Sequence, residues 1–577
     1  VSPRRGGHRR HYPCVPIRTT ATSGHLIGSH GYASAAGLAD EPGSGGVARR
    51  TPVDLPTGSR RLAAHAGLVT AVVLIAVWLI VDPHTPDLAA QVYRVELFRQ
   101  LGFAVWDEHW YAGHHLPGYS LLFPPLGSLL GIRLLGALSV LASVSLFERI
   151  VRTAYGRPAR LAIAWFAVMA VGDVWVGRVA FALGVPLALA AVLAVMRGRM
   201  TAAAVLAALC AAASPVAGAL LGLAALSAAL SRRSPRILLT LAAPAAAIVL
   251  ALALLFAEGG FEPYPIRSFL ATTLVVVAFL WALPSDQRLL RVGGSLYLLA
   301  CLACLLVHSP IGSNIERYGV LLAGPLLLLS RPRPSAAAAV ALCAAAVWGL
   351  WGPVRETVAV GGGQSTRASY YAPVERFLAG NAAGPVRVEV PLTRSHWEAA
   401  LLAPTVSLAR GWEKQLDERY DAVLLGSQLT AASYLGWLRD QAVGYVAVPD
   451  APLDASSARE GSLIARGLPY LREVFTSTHW RVYQVLGAAP LASGPGRLTK
   501  LGHDSFAVQA TSAGGFLLRL RFTRYWTVVR GSGCVRRAPG GWTSVTAQAP
   551  GTVVVSARFS LARAFGSTAS CARHGSS

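Results

Sequence analysis

The first sixty or so residues carry no periodic apolar positions, and then the chain becomes a series of apolar runs separated by short arginine-bearing loops. A helix that crosses the hydrocarbon needs roughly 20 apolar residues. Runs at 63–81, 121–147, 161–175, 179–196, 201–214, 216–230, 237–257, 268–284, 293–308, 318–330 and 335–352 meet or approach that length and predict about eleven transmembrane helices. The two pieces on either side of Ser214 and Pro215 are the shortest for the task. The stretch "FPPLGSLLG" predicts that the second span begins with a broken or re-entrant turn, which is tolerated where it is buried in protein or lines a cavity.

Beyond about residue 356 the pattern changes twice. Through 356–490, apolar runs such as "VRVEVPL" and "VGYVAVPD" read as buried strands, "TAASYLGWLRDQ" and "EGSLIARGLPYLREVF" have helical spacing, and "WRVYQVL" closes with a strand, so an α/β unit is expected. Through 491–577, short β runs alternate with Gly and Pro turns, as in "GFLLRLRFT" and "GTVVVSARFS", and predict a β-sandwich. The expected fold class is therefore a polytopic α-helical membrane protein, residues 61–355, carrying an extracytoplasmic α/β plus β-sandwich-like region. Residues 1–60, rich in Arg, Gly, Ser and Pro, read as a disordered basic cytoplasmic tail. The first residue is Val, which reads as an alternative start codon translated literally or a start placed too far upstream; no cleavable signal pattern is evident.

Composition agrees: 54% of residues are hydrophobic and 14% charged, values that exclude a disordered chain and fit poorly with a soluble one. The net charge of +24 is almost all arginine, clustered in loops at 59–61, 148–160, 197–199, 232–236, 288–291 and 331–333. That distribution is a topology signal rather than a nucleic-acid face, and it places those loops and the N-terminus in the cytoplasm of a plasma-membrane protein. The other loops, and everything after residue 352, then face outward. Cys534 and Cys571 are the cysteines in the expected exterior, where a disulfide would persist. Cys301 and Cys304 form CxxC inside an apolar run and, like Cys210 and Cys343, read as small apolar fillers rather than zinc ligands.

Against this topology, two groups of residues ask for a reason. One is the first outward loop, 82–120, "DPHTPDLAAQVYRVELFRQLGFAVWDEHWYAGHHLPGYS". Its middle has helical spacing and reads as an amphipathic helix lying at the interface, with Asp87 at the N-terminal end where the helix dipole favours a carboxylate. Asp107 and Glu108 follow, beside Trp106, Trp110, Tyr111 and Tyr119. Solvated acids and an interfacial aromatic belt would explain the same residues without chemistry. His109, His114 and His115 suggest a metal only weakly, since adjacent histidines chelate poorly on a helix. The other group is the outward arginines, Arg178, Arg267 and Arg317, which run against the positive-inside bias. Asp173 is near enough to Arg178 in sequence to pair with it. Arg317 stands out because Ser313, Asn314, Glu316 and Tyr318 surround it, and a guanidinium grips phosphate through its planar fork.

The segments "PDLAAQVYRVELFRQLGFAVWDEHWYAGHHLPGYSLLFPP" and "SPIGSNIERYG", with the many spans and the outward C-terminal region, resemble GT-C-type membrane glycosyltransferases, and in particular large actinobacterial membrane proteins of this type. The resemblance covers about residues 63–352 and the general layout of the outward C-terminal region. It implies transfer of a sugar from a polyprenyl-phosphate donor lipid to an envelope glycan or protein acceptor, with an acid of the first outward loop as base or as ligand of a divalent metal, Mg or Mn. By position Asp87 is the best match, with Asp107 and Glu108 as rivals. Arg317, Arg178, Arg267 and Asn314 would hold the donor phosphate, and His114, His115, Trp110 and Tyr111 would position sugar rings. Two other classes compete: a transporter or flippase of envelope precursors, and a non-catalytic envelope scaffold.

Overall fold

The computed structural model describes residues 66–156, 159–330, 335–381, 384–566 and 570–572. The tail expected over 1–60 lies outside the described residues. Among the described residues the predicted apolar runs are largely helical, and six helices are long and apolar enough to cross a membrane: Ile132–Tyr155, Val179–Met196, Pro215–Arg232, Pro235–Leu255, Arg288–Leu306 and Ala336–Val360. A seventh candidate is the pair Ala66–Val81 and Pro86–Leu101, bent by 80° at its break. Eleven spans is thus more than length and composition support. Met200–Ala213 has 14 residues, which at 1.5 Å per residue reaches only about 21 Å of a roughly 30 Å core. The chain is a multi-pass membrane protein by these helices.

Small residues let the helices approach. A Cβ on Gly184 would lie 2.6 Å from that of Ala217, and one on Gly218 would lie 2.7 Å from that of Ala211, so close packing substitutes for a hydrophobic drive that lipid cannot supply. Ser214 ends one helix and caps the next, accepting from the Ala217 N–H at 3.3 Å. The second span begins broken as expected: Phe123–Leu130 stops at Gly131, with φ 79°, before Ile132–Tyr155 continues.

The C-terminal region holds a mixed five-stranded sheet and a β-sandwich. In the first, strands run in the order Ser407–Leu408, Arg387–Glu389, Val443–Pro449, Trp480–Val485, Leu471–Thr476, with the first three parallel and the last two antiparallel. "EGSLIARGLPYLREVF" is not one helix: helix Ala458–Ala465 ends before Gly467, with φ 81°, and the remainder pairs as strand Leu471–Thr476. The sandwich stacks antiparallel sheets of four and five strands. Cys534 is disulfide-bonded, and the strand register sets it directly opposite Cys571.

The helix Pro86–Leu101 corrects another expectation. It is not laid on a lipid interface. Leu88, Ala89, Tyr93 and Leu97 pack with Trp397, Val388 and Trp480 of the mixed-sheet unit, while Val95 joins Trp78 and Phe123 in the helical body. Further along the same loop, Trp106 enters the sandwich core beside Trp526 and Phe506. One loop therefore supplies side chains to three cores.

Candidate active site

Asp87 occupies the first turn of helix Pro86–Leu101, behind Thr85 and Pro86, where free N–H groups and the helix dipole favour a negative charge. Its side chain is 38% exposed, and Arg178 Nε lies 3.3 Å from its Oδ2. Arg178 also reaches Asp173 at 3.7 Å, the pairing that Asp173 was expected to make. The approach of the two chain segments requires Gly177: its φ is +91°, and a Cβ there would lie 2.4 Å from the backbone nitrogen of Leu88. Gln91 fastens the same turn from one helical turn further on, donating to Gly177 O and accepting from the Ala180 N–H. Thr85 donates to Trp175 O at 3.3 Å. The sequence gives little sign of Gln91 or Gly177, since their roles depend on a contact between segments about ninety positions apart.

Arg317 comes to the same place from the far end of the body. Asp87, Asp173, Arg178 and Tyr119 all lie within its electrostatic reach. Asn314 accepts one of its N–H groups, and its Nε is buried with no hydrogen-bond partner. A guanidinium has five N–H donors, so most of this group's capacity is uncommitted to the protein. Glu316, a natural salt-bridge candidate for Arg317, takes Thr272 instead at 2.9 Å. Glu262 joins from the loop between helices Pro235–Leu255 and Ile266–Ala282 through Ser313, at 3.1 Å; burial raises its carboxyl above the usual range, against the pull of Lys414, Ser313 and Arg317. A cavity of about 240 Å³ opens beside it, lined by Phe261, Tyr264, Cys304, Leu305 and His308. Arg267 is exposed at the start of helix Ile266–Ala282, and no described ion pair includes it.

The second acidic pair lies elsewhere and in a different environment. Asp107 and Glu108 are both 0% exposed. Asp107 accepts from Tyr93 Oη at 2.8 Å and from the His109 N–H at 3.2 Å, and pairs with His503 Nδ1 of the sandwich at 2.8 Å. Burial pushes its pKa up, but the His503 hydrogen bond and the charges of His114, His503 and His109 outweigh that and hold it at about 2. The same contact raises His503 despite its burial. Glu108 takes only the indole N–H of Trp106, at 2.6 Å, and burial with Asp107 beside it lifts its carboxyl well above the usual range, against the pull of Trp106 and Arg387. His109 is pushed down to about 4, chiefly by burial.

The neighbouring candidates are also buried or half-buried, though both ring nitrogens of His114 lack a hydrogen-bond partner among the described residues. Trp110 is 0% exposed, stacked on Tyr93 with centroids 4.4 Å apart and donating to Ala399 O. Tyr111 is 0% exposed and donates to Asp417 at 2.9 Å. His114 is buried against Trp110. His115 pairs with Glu258 at 2.9 Å and meets Thr523 at 3.1 Å. These side chains form a socket that fastens the loop to both C-terminal units, and their faces are covered by protein rather than open to a sugar.

Among the described residues no group of three or more His, Cys, Asp or Glu could hold a metal ion. Asp87 and Asp173 instead share Arg178, so the positive charge beside these carboxylates is guanidinium.

No family model and no curated protein matches the chain. The solved structures similar to it include the following two. One is the cryo-EM structure of arabinofuranosyltransferase AftD from mycobacteria, at TM-score 0.45 and 15% identity, covering 88% of this chain and 58% of that one. The other is the crystal structure of ArnT from Cupriavidus metallidurans in the apo state, at TM-score 0.36 and 14% identity, covering 74% and 98%. The chain thus spans little more than half the length of AftD. Likeness at these scores carries no functional argument, which rests on the geometry at Asp87.

Proposed function

We propose that the protein is a membrane glycosyltransferase that moves a sugar from a polyprenyl-phosphate donor to a hydroxyl of an envelope acceptor on its C-terminal side. The observation that carries this reading is the convergence of one half-exposed carboxylate, Asp87, with two arginines, Arg178 and Arg317, at the boundary between the helical body and the C-terminal units.

The chemistry needs these parts in this arrangement. Asp87 takes the proton of the acceptor hydroxyl as that oxygen bonds to the anomeric carbon. The bond from the anomeric carbon to the phosphate oxygen breaks, and the electron pair leaves with the polyprenyl phosphate. Arg317, with N–H groups to spare, and Arg178 meet the charge that develops on the phosphate. A lipid leaving group stays at the membrane surface, and Arg178 and Arg317 stand at the starts of the apolar helices Val179–Met196 and Glu316–Ser330, where such a surface would lie.

The test is sugar transfer by the full chain in lipid, offered a panel of polyprenyl-phosphate sugars. Transfer from at least one donor is expected. Arg317→Gln is expected to raise the donor KM and lower kcat together, about a hundredfold in kcat/KM, as for removal of a donor to a developing charge. Wild-type protein that folds and transfers no sugar from any donor would refute the proposal.

A further inference from the structure

The last strand of the four-stranded sheet, Gly551–Ala557, leads into a short segment whose surface is unlike the rest of the sandwich. Phe559 is 47% exposed, Leu561 62% and Phe565 76%. Single exposed apolar side chains need no explanation, but three within seven residues form a patch. Arg558 and Arg524 are exposed beside them, and Arg524 donates to Ala564 O. The patch thus has an apolar tip and a cationic rim.

Its place in the molecule is fixed by the helical body. Phe559 packs against Phe256 and Tyr525, with ring centroids 5.7 and 5.5 Å apart. Tyr525 donates to Leu255 O at 2.7 Å. Phe256 is the residue that ends helix Pro235–Leu255, a 21-residue apolar helix that passes the length and composition test for a span. Leu250 and Leu254 of that helix are 60% and 55% exposed, as side chains facing acyl chains are. The patch therefore continues the lipid-facing surface of a span at the level where the span ends.

We propose that residues 559–565 dip into the leaflet on the C-terminal side, with Phe559, Leu561 and Phe565 at the boundary of headgroups and acyl chains and Arg524 and Arg558 among the lipid phosphates. Apolar side chains with flanking arginines are what such a boundary accepts. The contact gives the sandwich a second tie to the membrane, besides its hold on the loop at Trp106. It does not depend on the proposed reaction.

A nitroxide reports the depth directly. Phe565→Cys and Leu561→Cys are each labelled in the full chain in nanodiscs of phosphatidylglycerol and phosphatidylcholine. Cys14, Cys304 and Cys343 are replaced beforehand, and the Cys534 disulfide is kept. Ala513→Cys, in an exposed turn of the sandwich, is the control for water. Labels at 561 and 565 are expected to relax several-fold more with oxygen, relative to a water-soluble nickel chelate, than the label at 513. Ratios equal to the control would overturn the proposal. So would labels screened from both relaxants, which would mean that protein, a second copy or another partner, covers the patch.

Discussion

Asp107 and Glu108 are adjacent and equally buried, yet the fold treats them in opposite ways. Asp107 has Tyr93, His503 and a backbone N–H to hold its charge; Glu108 has one indole N–H and an oxygen, Oε2, without a partner. Asp107, lowered to about 2, adds stability that is present above its unfolded value near 3.9 and is lost as pH falls toward 2. Glu108 works the other way: raised in the folded state, it keeps a proton that the unfolded chain sheds above about pH 4.3, so stability falls as pH rises from there. His503, also raised, contributes below about pH 6.5 and loses its contribution as pH rises through its folded value. His109, held down at about 4, opposes this trend below about pH 6.5, so melting in detergent across pH 6.5 to 8.5 is expected to show a falling Tm. Glu108→Gln should raise Tm at the upper end and flatten the slope; an unchanged slope would mean that Glu108 is ionised. At this scale the sequence was partly legible. Asp87, Arg178 and Arg317 stood out because outward arginines oppose the positive-inside bias, and Asp87 because it opens a helix. The burial of Asp107 was not legible, since its partner His503 is 396 positions away and polar spacing alone does not distinguish a solvated acid from a satisfied one.

Among the elements, the turn between Arg160–Trp175 and Val179–Met196 and the start of Pro86–Leu101 act as one unit. Gly177, Gln91 and Thr85 hold them together, and that contact is what sets Arg178 beside Asp87. Gly177→Ala puts a Cβ at a positive φ and into the backbone of Leu88. The strain is of order 1–3 kcal/mol, and relief requires the segments to part. Tm should fall by several degrees, and transfer activity at permissive temperature should fall at least tenfold. A variant that melts lower but turns over at the wild-type rate would uncouple this turn from the reacting site. The helices themselves were legible from apolar runs, including the break before Ile132. The lie of Pro86–Leu101 was not: its apolar spacing fits a lipid interface and a protein interior equally well, and only the packing of Trp397 and Val388 upon it decides for the interior.

For the whole molecule, the loop between the first two apolar runs is the joint. It sends Val95 into the helical body, Trp110 and Tyr111 into the mixed-sheet unit and Trp106 into the sandwich. Asp87 at one end of the loop lies beside Arg178, while Asp107, Trp110, Tyr111 and His115 are bonded to the C-terminal units. Alternating strand patterns made the two C-terminal units legible, but a sequence holds no sign of which loop will enter them. This division assigns proton acceptance to Asp87 and a purely structural task to Asp107. Sugar transfer and Tm, measured side by side on Asp87→Asn and Asp107→Asn in the same lipid, separate the two. Asp87→Asn should lose at least about a hundredfold in kcat, the contribution of a positioned base, with Tm within a few degrees of wild type. Asp107→Asn should melt well below wild type, as for the loss of one partner from a buried pair, and transfer within a few-fold of the wild-type rate while folded. Wild-type turnover in Asp87→Asn, with transfer abolished in a fully stable Asp107→Asn, would contradict this division of roles.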